Sequence, residues 1–204
     1  MTTLRAAAAA ELRSVAALHA DRIREGFLTS LGTGFLRRLY RCVLASEDGF
    51  VLVACADPAS GPVPAATAPV VGFVAGVGSV GSLYRRFLLR DGIVAGALAA
   101  PRLMRAVPRV VETLRYPAAT GDLPDAEILA VAVAADAAGH GVGRSLVGAA
   151  IQEFIAAGVS SAKVVTTADN AHAIAMYRAS GFVTETDVEV HSGRVSEVLV
   201  WTAS

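Results

Sequence analysis

Between Glu11 and Arg24 the apolar residues Leu12, Val15, Leu18 and Ile23 recur at the spacing of one helix face, with Arg13, Asp21, Arg22 and Arg24 on the others, which predicts a first helix. Gly32 and Gly34 break that period. Thr33 between them suits the N-cap of a second helix carrying Phe35, Leu36, Leu39, Tyr40, Val43 and Leu44. From Phe50 to Ala56 the pattern changes to a short apolar, β-branched run that reads as a strand, and Val70 to Val77 is a second. The stretch between them, Asp57 to Pro69, holds four of the eight prolines, whose fixed φ and missing N–H deny both regular patterns, so a surface loop is expected. Ser82 to Tyr116 reads as a helical insertion interrupted by Gly92, Pro101 and Pro108, followed by a loop from Pro117 to Asp125.

The rest of the chain alternates more regularly. Ile128 to Val133 is a predicted strand, and Arg144 to Ala157 a helix with Leu146, Val147, Ala150, Ile151 and Phe154 on one face. Lys163 to Thr167 is the next strand, and Asn170 to Ser180 a helix ended by Gly181, which suits a left-handed C-cap. Val183 to Val190 and Val195 to Trp201 pair as a hairpin across Ser192-Gly193. There is no internal repeat. Strands alternating with helices predict a mixed α/β sheet covered by helices, and 204 residues suit a single domain over 1–204.

Charge narrows the function classes. Basic and acidic residues balance at 18 each, so the overall field gives no reason to expect nucleic acid or a membrane surface as partner. The exception is local: the insertion carries Arg85, Arg86, Arg90, Arg102, Arg105, Arg109 and Arg115 against Asp91 and Glu112, which is either a solvated face or a rim for an anionic ligand. Cys42 and Cys55 sit in apolar runs and read as buried free thiols, as a reducing cytoplasm allows. The alanine run Ala6 to Ala10 is stopped by Glu11, too short for an export signal, and Ile93 to Ala100 falls far short of the roughly 18 apolar residues a bilayer requires. A soluble cytoplasmic protein is expected; a homodimer is compatible with the sequence.

Two glycine clusters compete as ligand loops. Gly76, Gly78 and Gly81 spell a minimal dinucleotide fingerprint after a strand, yet the region around Leu98 to Pro101 lacks the acidic residue that would hold a ribose. The second cluster, Gly139-His140-Gly141-Val142-Gly143-Arg144-Ser145, joins a strand to a helix. Closely spaced glycines let backbone approach a phosphate, and the first N–H groups of the helix point at it. It lacks the Gly-Lys-Ser/Thr ending of a triphosphate loop, so a phosphate is held there rather than transferred. No His, Cys, Asp and Glu set has metal-ligand spacing, and no Gly-x-Ser-x-Gly elbow is present.

The strand Ile128 to Val133, the run Ala138-Gly139-His140-Gly141-Val142-Gly143, and the helix from Asn170 through Tyr177 to Gly181-Phe182 together resemble the GNAT superfamily of acyl-CoA-dependent N-acetyltransferases. The resemblance spans about Ala126 to Phe182, with a weaker echo in Val71-Gly72-Phe73. It implies a mostly antiparallel central sheet flanked by helices and an acetyl-CoA site. The pantetheine arm would lie along Val131, Ala132 and Val133 like an added strand, and Gly139, His140, Gly141, Val142, Gly143, Arg144 and Ser145 would hold the pyrophosphate. A backbone N–H near Leu129 to Val131 would stabilise the oxyanion formed by direct amine attack.

By the same resemblance Tyr177 would protonate the leaving thiolate and Asn170 would contact the cofactor, although simple packing explains the tyrosine and an N-cap explains the asparagine. Glu127 is similar in position to the general base of some members; the alternative is an exposed strand-end carboxylate. His19 borders the acceptor side or is structural, and His140 meets phosphate or solvent. The chain departs from the family's pattern at Ala135, where proline is usual, and at Ala138, where Arg or Gln is usual. The latter implies weaker pyrophosphate binding, with Arg144 or an insertion arginine as compensation. The expected activity is acetyl transfer to a small-molecule amine, for example an anionic amino sugar; a peptide amine, or a non-catalytic CoA-sensing or partner-binding domain, are the alternatives.

Overall fold

The computed structural model describes residues 2–24, 27–56, 68–90, 123–189 and 195–203. Residues 57–67 of the Pro-rich loop, the insertion beyond Arg90 and the Ser192-Gly193 turn lie outside the described residues. Seven strands form one sheet: β1 (Thr2–Ala6), β2 (Gly49–Ala56), β3 (Val70–Val77), β4 (Glu127–Val133), β5 (Ser161–Thr167), β6 (Val183–Glu189) and β7 (Val195–Thr202). Their order is β1-β2-β3-β4-β5-β7-β6, and every neighbouring pair is antiparallel except β4 and β5. This is the mostly antiparallel sheet that the resemblance implied.

Helices cover both faces. Alternation along β2 sends Val51, Val53 and Cys55 to one side and Leu52 and Ala54 to the other, so the sheet carries two cores. On the first face α1 (Leu12–Arg22), α3 (Thr33–Leu44) and α4 (Val80–Arg90) bury Leu12, Val15, Leu36, Tyr40, Val43 and Leu83 against Phe73 and Val51, with the one-turn α2 (Phe27–Ser30) between α1 and α3. On the second, α5 (Val142–Ala156) buries the predicted stripe Leu146, Val147, Ala150, Ile151 and Phe154, and α6 (Ala171–Arg178) adds Ile174 and Tyr177. Both cysteines are free and buried, as expected.

Two departures from the sequence reading have physical causes. Strand β1 was not foreseen, because Thr2, Thr3 and Ala6 are exposed and carry no apolar alternation; the edge of β2 recruits it, pairing Thr2 with Ala56 through Ala6 with Leu52. The first helix starts after a 3-10 turn at Ala9–Glu11 and stops at Arg22, two residues short of Arg24. There the Glu11 carboxylate accepts the Ala8 N–H at 2.8 Å and is held by the Arg5 guanidinium at 2.6 and 2.7 Å.

Two of the three glycines of the first cluster are explained by packing. A Cβ on Gly76 would lie 2.4 Å from Cζ of Phe50, and one on Gly78 would lie 3.0 Å from Cβ of Asp48, so these glycines let β3 pass close to β2.

Candidate functional site

The parallel ladder between β4 and β5 is two residue pairs long, Glu127 with Lys163 and Ile128 with Val164. Beyond it β5 stays paired with β7 up to Thr167 while β4 follows β3 up to Val133, so the β5-facing edge of β4 from Leu129 onward has no ladder partner among the described residues. Such an edge offers backbone N–H and C=O groups to an extended ligand.

A β-bulge sits where the two strands part. Ala75 pairs with Ala130 and Gly76 with Ile128, leaving Leu129 as the extra residue. Side chains record it: Ile128 belongs to the α5 core, Leu129 and Ala130 both face the α1 and α3 core, and alternation resumes with Val131 and Val133 toward α5 and Ala132 toward α1.

A cleft of about 550 Å³ runs past Val131, Ala132 and Val133. Ala137, Ala138, Gly139, Gly141, Val142, Gly143 and Arg144 line it from the loop and the start of α5, Asn170, His172, Ala173, Ala175 and Met176 from α6, and Arg22 and Ile23 from the end of α1. Gly139 (φ +79°) and Gly141 (φ +78°) are left-handed, and a Cβ on either would meet nothing within 4 Å, so it is the backbone conformation that calls for glycine. Gly141 is the N-cap of α5 and no side chain caps the helix, which leaves its leading N–H groups to a ligand. A Cβ on Gly143 would stand 2.8 Å from Sδ of Met176, so this glycine allows α5 and α6 to close on one another. An open strand edge leading to an uncapped, glycine-opened helix suits a ligand with an extended arm and a phosphate.

Of the residues expected at the cofactor, Val131, Ala132, Val133, Gly139, Gly141, Val142, Gly143, Arg144 and Asn170 line the cleft; His140 and Ser145 are exposed beside it and do not. Asn170 also caps α6, its Oδ1 accepting the Ala173 N–H at 3.2 Å. Tyr177 follows the cleft residue Met176 but is itself buried, packed edge-on to Phe182 with ring centroids 5.6 Å apart. Burial raises its phenol well above its ordinary pKa, so it stays protonated through the physiological range.

Glu127 lies outside the cleft lining and is largely buried, its side chain 14% exposed, rather than standing free at a strand end. Burial pushes its pKa up to about 7, against the attraction of Lys163, whose Nζ is 3.7 Å from Oε2. Lys163 donates to the Pro124 carbonyl, and Oε2 of Glu127 has no hydrogen-bond partner among the described residues. Tyr84 of α4 is close enough for Glu127 to add to the burial that raises its phenol.

His19 belongs to the core of the first face. Its Nδ1 shares a 2.5 Å hydrogen bond with the Tyr40 hydroxyl, its ring stacks on Phe73, and desolvation lowers its pKa to about 4. The sequence reading did not place Arg22, Ile23, His172 or Met176 at the site. For Arg22 and Ile23 a signal existed, since they continue the sheet-facing stripe of Leu12, Val15, Ala16 and His19.

A sequence model of the Acetyltransferase (GNAT) family matches residues 81–182, half of the chain. No curated protein sequence matches it. Among solved structures, NAA60 of Arabidopsis thaliana in complex with acetyl-CoA is similar at TM-score 0.62 and 15% identity, over 99% of this chain and 98% of that one. A chimera of the Vibrio cholerae spermidine N-acetyltransferase SpeG with hSSAT gives 0.61 and 15%, over 98% and 95%. The ribosomal-protein-S18-alanine N-acetyltransferase of Escherichia coli gives 0.60 and 13%, over 99% and 94%. No helix among the described residues is long and apolar enough to cross a membrane. The chain belongs to the GNAT family of acetyltransferases.

Proposed function

We propose that this protein, as one domain over residues 1–204, transfers the acetyl group of acetyl-CoA to a primary amine of a small molecule by direct attack. The observation that carries this reading is the parting of β4 from β5 at a bulged Leu129, two residues from a buried Glu127. Structures similar to this chain include enzymes named for spermidine and for a ribosomal-protein alanine, acceptors that share an amine and little else.

Bound acetyl-CoA supplies an acyl thioester; the remaining work falls to the chain. The backbone of Val131, Ala132 and Val133 holds the pantetheine arm, and the turn Gly139 to Ser145 holds the pyrophosphate through its N–H groups, with Asn170 at the rim. The N–H at the Leu129 bulge faces negative charge developing on the carbonyl oxygen, where one such donor contributes about 3–4 kcal/mol. Glu127, with a pKa of about 7, takes the proton of the acceptor ammonium, which cannot attack while charged. Tyr177, held protonated by burial, delivers a proton to the departing thiolate. Within the amine class, the basic excess of residues 82–116 favours an acceptor bearing negative charge, such as a phosphorylated amino sugar. Arg86 is not free for that role, since it donates to the Ala45 carbonyl at 2.8 Å, while Arg85 is exposed.

The test is calorimetric titration with acetyl-CoA, followed by thiol-release assays on small amines, charged amino sugars and peptides. Micromolar binding with turnover of a small amine supports the reading. Turnover of peptides alone moves the acceptor to protein, and binding without turnover of any amine replaces the enzyme by a CoA-sensing domain.

A further inference from the structure

Arg22 stands where the packing of α1 calls for an apolar residue. The helix turns Leu12, Val15, Ala16 and His19 into the sheet, and the same face continues to Arg22 and Ile23. Ile23 obeys the pattern and is partly buried, whereas Arg22, exposed, ends the stripe at the wall of the cleft. Its neighbour Arg24 is tied to Asp21 at 3.1 Å, but Arg22 has no hydrogen bond or ion pair among the described residues. Nor does the cleft offer one: among the described residues no carboxylate lines it, and its two formally charged side chains are Arg22 and Arg144. Arg144 falls in the first turn of α5, where the helix dipole disfavours a cation unless an anion is bound nearby. Ala138, which lines the same cleft, is exposed and its methyl can donate nothing.

On the reading of this cleft as the acetyl-CoA site, we infer that Arg22 binds phosphate oxygens of the coenzyme from the α1 side and supplies the cation that the glycine loop lacks at position 138. A guanidinium matches phosphate oxygens in a bidentate fork, and the contact ties the end of α1 to the start of α5, helices on opposite faces of the sheet.

The experiment compares wild type, Arg22→Ala and Arg22→Lys by calorimetry with CoA and with dephospho-CoA, alongside thermal melting. The expected result is a Kd for CoA about tenfold weaker in Arg22→Ala, equivalent to about 1.4 kcal/mol, partly restored in Arg22→Lys, with the melting temperature unchanged because the side chain holds no partner in the protein. The same loss with dephospho-CoA assigns the contact to the pyrophosphate; a loss confined to CoA assigns it to the ribose phosphate. Arg22→Ala binding CoA within twofold of wild type overturns the inference, as does a lowered melting temperature with unchanged Kd, which would make Arg22 a helix-terminus residue only. Failure of the wild type itself to bind CoA would instead overturn the site.

Discussion

Oε2 of Glu127 lies 3.7 Å from Nζ of Lys163, at the first of the two residue pairs that join β4 to β5. The two are 36 positions apart, and the parallel register sets them side by side. The spacing is too long for a hydrogen bond, and the lysine is anchored instead on the Pro124 carbonyl, so it steadies the carboxylate without neutralising it. Burial and this one cation together set the ionisation of Glu127 near neutrality.

If Glu127 is the base, kcat/KM rises with pH through about 7 as the carboxyl ionises, and Glu127→Gln removes that limb and lowers the rate about a hundredfold. Lys163→Met deletes the attraction that favours the carboxylate, so the midpoint moves to higher pH. Initial rates from pH 5.5 to 9 at saturating acetyl-CoA decide this; a Glu127→Gln profile that overlays wild type removes Glu127 from the mechanism.

Tyr177→Phe keeps the ring against Phe182 and deletes the hydroxyl. The expected result is a kcat lower by about a hundredfold with the Kd for acetyl-CoA unchanged. Equal kcat in the two proteins would leave Tyr177 with packing alone.

Gly76→Ala pushes a methyl into the ring of Phe50 and costs about 1–3 kcal/mol of stability by overpacking, while the affinity for acetyl-CoA stays the same. Adding Phe50→Leu recovers part of the loss. Denaturant unfolding measures both, and a selective loss of coenzyme binding would contradict the packing role.

His19 links stability to acid. Its folded pKa, about 4, lies below the ordinary histidine value, so between about pH 6.5 and 4 the unfolded chain binds a proton that the folded one refuses. Stability therefore falls as pH drops through that window, by up to about 3 kcal/mol from this group. In His19→Phe that component is absent, and urea midpoints measured from pH 7 to 4.5 should decline less steeply than in wild type.

Some of this protein is written locally in its sequence. The helix stripes, the glycines at 139 and 141 and the cap at Asn170 follow from spacing and backbone preference within one or two turns of chain, which is why the loop, α5 and α6 were legible without coordinates. The same local terms could not reveal β1, whose residues carry no apolar alternation and are drawn into place by β2. Nor could they reveal the bulge at Leu129, which is a property of the register between β3 and β4. The parting of β4 from β5, the burial of Glu127 beside Lys163 and the arrival of Arg22 at a loop more than a hundred residues away belong to the same group. Each depends on how distant strands and helices pair and stack. The sequence thus determined the parts of the glycine loop; the tertiary structure decided what shares the cleft with it, because nonlocal pairing alone brings those side chains within reach.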